Sequence, residues 1–129
     1  MIACGESHSM VMTDRGYLYT WGRGYEGQLG LSETIEIAAT PQFVRFFHQR
    51  VPNPVEGGRM DNIMNVTYIA AGSFYSLAIT DDGRGNDGVM YAWGEARMGQ
   101  LGIGREKCVR MPQKVSFPPN EETGESVKI

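Results

Sequence analysis

The phrase Tyr19-Thr20-Trp21-Gly22-Arg23-Gly24-Tyr25-Glu26-Gly27-Gln28-Leu29-Gly30 recurs as Tyr91-Ala92-Trp93-Gly94-Glu95-Ala96-Arg97-Met98-Gly99-Gln100-Leu101-Gly102, with seven positions identical. A chain that repeats so turn-rich a phrase repeats a structural unit, and units of this kind bury their apolar faces by stacking on one another. The flanks repeat as well. Ile2-Ala3-Cys4-Gly5 matches Ile69-Ala70-Ala71-Gly72, and Ser9 to Asp14 matches Ser76 to Asp81, at an offset of 67 residues. Across the tryptophans the offset is 72, so five residues, most simply Arg84 to Gly88, are inserted in the second copy. Pro41-Gln42-Phe43-Val44 matches Pro112-Gln113-Lys114-Val115 at an offset of 71. These shifts fall in polar, glycine-containing segments, where loops tolerate changes of length.

Within each copy the pattern is that of β-hairpins. Ser9-Met10-Val11-Met12-Thr13 is a short apolar run, Asp14-Arg15-Gly16 supplies a tight turn, and Tyr17 to Trp21 returns as an aromatic-rich strand. The second copy builds the same hairpin from Ser76 to Thr80 and Val89 to Trp93, around the longer turn Asp81 to Gly88. These runs are continuously apolar rather than alternating, which suits strands covered on both faces. Thr40 to Phe47 and Met111 to Val115 read as further strands, each with a proline near its start, as expected of an edge. Asn65 to Ala71 reads as the fourth strand. An irregular loop is expected from His48 to Asn65. Seventeen glycines, with Pro, Asn and Asp between the apolar runs, support an all-β chain with many turns.

Four short antiparallel strands per unit, covered on both faces, describe the blade of a β-propeller. The order Ile-Ala-x-Gly, hairpin with Asp and Gly, Tyr-x-Trp-Gly, Gly-Gln-Leu-Gly, Pro-x-x-Val resembles the repeats of the regulator of chromosome condensation family. The resemblance covers nearly the whole chain apart from the His48–Asn65 loop and the tail. It implies about two repeats of what is a seven-bladed propeller in the family. The division expected is the end of one repeat at 1–16, one complete repeat at 17–83 and the start of the next at 84–129. Two blades alone leave apolar faces open, so the chain is expected to be a fragment of a longer ring, or to meet further copies of itself.

The 129 residues have the length of one ordinary domain, and the net charge of −3 gives no electrostatic footprint for direct nucleic-acid binding. No apolar run is long enough to span a bilayer, and Met1-Ile2-Ala3-Cys4 leads into Gly5-Glu6 without a signal-peptide pattern. No membrane role is therefore expected, and a cytoplasmic or nuclear location is. Cys4 and Cys108 do not occupy matching repeat positions and read as reduced thiols. Gly22 to Gly27 fits G-x-G-x-x-G, but no helical periodicity follows to hold a pyrophosphate, and Ala96 replaces Gly24 in the second copy. That stretch is a turn. No cofactor, metal site or covalent catalytic pattern is legible, and an enzyme is not expected.

The candidate partner-binding residues lie in the loops after the repeated glycine: Glu6, Ser7 and His8 in the first copy, Ser73, Phe74 and Tyr75 in the second. The resemblance implies that these loops line one face of the ring, where exchange factors for the small GTPase Ran use acidic and histidine residues. A structural reading, with Ser7 and His8 bonded to neighbouring loops, stands beside it. Light-sensing relatives carry Trp immediately after this glycine, whereas Glu6 and Ser73 stand there in this chain, which argues against light sensing. Arg45, His48, Arg50 and Arg59, interrupted by Glu56, make the long loop mildly basic, suited to an acidic partner or a phosphate backbone, or simply to solvent. Two functions follow from the resemblance. One is a non-catalytic protein-interaction scaffold or adaptor. The other is a guanine-nucleotide exchange factor for a Ran-type GTPase, associated with chromatin.

Overall fold

The computed structural model describes residues 1–32, 34–48, 50–52, 60–62, 64–81, 88–104, 107–127 and 129, with backbone alone at 50–52 and 60–62. Among the described residues the structure is all-β apart from one 3-10 turn. Strands β1 (Ile2–Cys4), β2 (His8–Met12), β3 (Leu18–Arg23) and β4 (Ile37–Phe43) form a four-stranded antiparallel sheet in sequence order. A short ribbon pairs β5 (Arg50–Pro52) with β6 (Met60–Asn62). The second sheet repeats the first with β7 (Asn65–Ala71), β8 (Tyr75–Asp81), β9 (Val89–Gly94) and β10 (Val109–Lys114). The strand counted fourth in the sequence is thus the first strand of the second sheet. No helix among the described residues is long and apolar enough to cross a membrane.

The two sheets share one register. Ser9 lies opposite Trp21 and Ser76 opposite Trp93, while His8 faces Gly22 and Tyr75 faces Gly94. The turn at Asp14-Arg15-Gly16 closes as expected. Gly16 takes a φ of 79°, its N–H donates to the Thr13 carbonyl, and its own carbonyl accepts from Val66 N–H of the second sheet at 3.1 Å. The turn's longer counterpart, with the inserted residues, falls largely on 82–87, outside the described residues.

Two expectations are corrected. The strand expected over Thr40–Phe47 runs instead from Ile37 to Phe43, and Arg45–His48 is a 3-10 turn. The cause is aromatic packing: Phe46 and Phe47 both set their rings against Tyr91, each with centroids 5.4 Å away. Neighbouring residues of a strand point to opposite faces and could not do so. Pro41 therefore sits inside β4, at a sheet edge where its missing N–H costs no ladder bond. The loop from His48 to Asn65, expected to be irregular, contains the β5–β6 ribbon.

The main core lies between the sheets: Met10, Leu18, Val44 and Phe47 from the first meet Val66, Ile69, Ala78 and Trp93 from the second. A smaller cluster of Ala92, Ala96, Leu101, Val109 and Val115 covers the far side of the second sheet. Trp93 is fully buried, whereas Trp21, its counterpart on the far side of the first sheet, is only partly so.

The loop that follows β3 interlocks the sheets. Gly30 has a φ of +69°, and a Cβ built there would lie 2.7 Å from the indole Nε1 of Trp93. Gly102, its repeat counterpart, has a φ of +66° but would meet only Val115, at 3.5 Å. Alanine at either position carries the same left-handed backbone cost. Gly30→Ala should therefore destabilise the chain by about 1–3 kcal/mol more than Gly102→Ala, the added cost being overpacking against Trp93. Urea unfolding of the two variants in dilute solution measures the difference.

Candidate functional site

The loops after the repeated glycines are two-residue turns. Gly5 N–H donates to the His8 carbonyl at 2.9 Å and Gly72 N–H to the Tyr75 carbonyl at 3.0 Å, closing Glu6-Ser7 and Ser73-Phe74. The turns are anchored on the next strand: Arg23 N–H donates to the Ser7 carbonyl at 2.8 Å and Glu95 N–H to the Phe74 carbonyl at 2.9 Å. They also touch each other, through Glu6 N–H and the Ser73 carbonyl at 3.1 Å. Glu6, Ser7 and Ser73 are exposed, and Phe74 and Tyr75 partly buried. These loops form one rim across both sheets.

His8 starts in the same loop but points inward and is only 2 % exposed. Its Nε2 lies 2.9 Å from the Ser76 hydroxyl, which itself donates to the Gln28 carbonyl at 2.8 Å. Since Ser76 has one proton to give, His8 must carry its own on Nε2. Nδ1 is buried without a hydrogen-bond partner, and burial pushes the imidazole below its ordinary value of 6.5. The indole N–H of Trp93 donates to the same Gln28 carbonyl at 2.9 Å. One main-chain oxygen of the first sheet thus accepts two donors from the second.

The rim includes residues that the sequence reading assigned only to a turn. Arg23 places its guanidinium 5.0 Å from the Tyr25 ring and 5.4 Å from the Phe74 ring, bridging the sheets, and binds Glu26 through two hydrogen bonds of 2.7 and 3.0 Å. That pairing holds the Glu26 carboxyl below the usual carboxylate range. Gln28 completes the turn, accepting Glu26 N–H on Oε1 and donating from Nε2 to Glu26 Oε2. Tyr25 is 45 % exposed. The signal in the sequence was the difference between the copies: Arg23 and Tyr25 become Glu95 and Arg97, while Trp21, Gly22, Gly27, Gln28, Leu29 and Gly30 have identical counterparts.

Arg45 does not belong to this rim. It is exposed just after β4, whose Phe43 pairs with Tyr19 near the other end of the sheet, and it lines a groove with Leu31, Gln42 and Met111. The side chain of Arg50 and all of Arg59 lie outside the described residues. Cys4 and Cys108 are both free thiols.

The profile of the regulator of chromosome condensation (RCC1) repeat matches residues 15–79 and 87–129, and a second RCC1 repeat profile matches 66–100. The chain belongs to the regulator of chromosome condensation repeat family. Among curated RCC1-repeat relatives, it is 35 % identical to the ultraviolet-B receptor UVR8 of Arabidopsis thaliana over 94 % of this chain and 23 % of the receptor. It is 33 % identical to the human X-linked retinitis pigmentosa GTPase regulator over 91 % of this chain and 10 % of that protein. It is 30 % identical to the probable human E3 ubiquitin-protein ligase HERC6 over 89 % of this chain and 10 % of the ligase. The chain thus spans between about a tenth and a quarter of these relatives. Among solved structures, human WBSCR16 superposes with a TM-score of 0.66 at 24 % identity, over 92 % of this chain and 26 % of that one. Yeast RCC1 (Prp20), solved bound to Kap60, superposes at 0.64 and 23 % identity, over 95 % of this chain and 25 % of that one. These likenesses establish the RCC1 propeller fold.

The two histidines set an acid limit on this fold. His48 stacks on Phe43 with centroids 4.7 Å apart, and burial lowers its titration as it does that of His8. Near pH 6.5 the unfolded chain takes up protons at both imidazoles that the native chain still refuses, so stability falls as pH falls below that value; above it both states are neutral and the contribution is complete. Urea midpoints measured from about pH 7.5 down to about pH 5 should decline, and His8→Gln should flatten part of the decline.

Proposed function

We propose that this chain is a non-catalytic protein-interaction module that docks a protein partner on the rim formed by Glu6, Ser7, Ser73 and Phe74 together with Arg23 and Tyr25. The observation that supports it most is Arg23 held between Tyr25 and Phe74, with Tyr25 open to solvent. Arginine and aromatic side chains at the centre of a patch are what protein interfaces use as anchors. Both turns are held by main-chain bonds to neighbouring strands, so the anchors are preorganised and little loop entropy is lost on binding. His8 supports the rim from beneath; it fixes Ser76 and thereby the position of one sheet against the other.

A second reading, guanine-nucleotide exchange on a Ran-type GTPase, draws support from two printed descriptions. One relative is named a GTPase regulator, and the structure of Prp20p, which superposes at a TM-score of 0.60, is described with its binding properties to Gsp1p and histones. The mechanism would be differential binding, the rim favouring the nucleotide-free GTPase without any acid–base residue. Chromatin association rests on the same descriptions.

Two measurements separate the readings. A photo-crosslinking residue replacing Tyr25 should capture a discrete protein partner, and the same residue replacing Arg15, exposed on the turn at the opposite end of the hairpin, should not. Equal capture at both positions, or none at Tyr25, would sink the docking proposal. Release of mant-GDP from Ran should be unaffected by the chain if it is a scaffold. Acceleration that Tyr25→Ala reduces about tenfold or more would instead establish exchange through this rim.

A further inference from the structure

Strand β4 is the last of the first sheet and β10 the last of the second, and a groove of about 360 Å³ lies along the boundary between these outer edges. Its apolar walls are Leu31, Ile35, Phe43 and Phe46 from the first half of the chain and Met111 from β10. The volume falls within the roughly 300–1,000 Å³ of ligand sites. Both walls belong to sheets already stacked on each other. Further blades of a ring would stack on the outward faces of these sheets, so this boundary stays open whatever precedes or follows the chain.

The groove is held in shape from behind. Phe46 sets its ring edge-on to Phe47 and Tyr91, with centroids 5.2 and 5.4 Å away, and Phe43 stacks on His48 at 4.7 Å. Met111 is 38 % exposed and unbranched, so it can adapt to an incoming side chain. Arg45 is exposed, and among the described residues no carboxylate pairs with it, whereas Arg23 and Arg97 each hold a glutamate. Gln42, also lining the groove, donates from Nε2 to the Thr40 carbonyl and hydroxyl at 3.2 and 3.1 Å, leaving Oε1 to accept a peptide N–H. The blade plan does not account for this combination. Pro41, Gln42 and Val44 recur as Pro112, Gln113 and Val115, but Phe43 and Arg45 give way to Lys114 and Ser116.

We propose that this groove docks an extended peptide segment of a separate protein, with a large apolar side chain seated among Leu31, Phe46 and Met111 and a nearby aspartate or glutamate paired with Arg45. Apolar walls alone would take any hydrophobe. The unpaired guanidinium selects a carboxylate beside the apolar anchor, and the Gln42 acceptor favours a peptide over an acid that has no N–H to give. The site is distinct from the rim, since Arg45 lies near the other end of the first sheet. A partner on the rim and a peptide in the groove can therefore be held together.

Selection from a random hexapeptide library on the full 129-residue chain tests this. The enriched sequences should combine a large aliphatic or aromatic residue with an acidic one close by. In fluorescence anisotropy, Arg45→Glu and Met111→Glu should each weaken the best of these peptides about tenfold or more, while Arg45→Lys should keep binding to within about threefold. Both positions are exposed, so the variants should fold, and near-UV circular dichroism checks that they do. No enrichment, enriched sequences without acidic residues, or peptides that bind folded Arg45→Glu as well as the native chain would overturn the inference. So would a change in the sedimentation of the chain by itself on Arg45→Glu, since the occupant would then be a second copy.

Discussion

The carbonyl oxygen of Gln28 is the point on which the two sheets turn. It accepts the Ser76 hydroxyl and the Trp93 indole together, and Ser76 in turn accepts from His8, so one oxygen gathers three side chains at the boundary between blades. A carbonyl has two lone pairs, and both are used, in a place where water has no access and an unmet donor would cost about 1–3 kcal/mol. The glycines on either side of the glutamine follow from this. A Cβ at Gly30 would strike the Trp93 indole and one at Gly27 the Val109 carbonyl, so only residues without Cβ let the loop lie this close to the second sheet.

The same loop does two jobs at two depths. Gly27, Gln28 and Gly30, identical in the two copies, lie against the second sheet, while Arg23 and Tyr25, which differ, reach the rim. Arg23 and Tyr25 in one copy become Glu95 and Arg97 in the other, so a constant lock carries a changing surface. A propeller can in this way alter what it binds without disturbing how its blades hold together. Arg23 joins the two levels, since its guanidinium reaches from its own sheet to Phe74 on the next while its main-chain N–H holds the Ser7 turn.

His8 shows how a residue in a candidate binding loop can be turned inward to hold the fold. The backbone hydrogen bond from Gly5 turns the chain so that position eight enters the strand facing the second sheet, and its imidazole goes to the serine there. Tyr75 occupies the matching position of the second copy. The asymmetry ties the contact between the two sheets to the imidazole staying neutral.

The repeated Tyr-x-Trp-Gly and Gly-Gln-Leu-Gly phrases determined the all-β blades, the hairpin with its turn at Asp14–Gly16 and the family, because glycine placement and strand-length apolar runs act locally. Pairing local strands is a short-range problem that the sequence states directly. The tertiary structure decided the rest. It placed Asn65–Ala71 at the head of the second sheet, bent Arg45–His48 into a 3-10 turn so that two consecutive phenylalanines could reach Tyr91, buried Trp93 but not Trp21, and separated Arg45 from the rim. In each case the deciding partner lies on the other sheet or at the far end of the same one. A sequence in which Trp21 and Trp93 stand in the same words cannot say which of them has a neighbour; only the stacking of one blade on the next does.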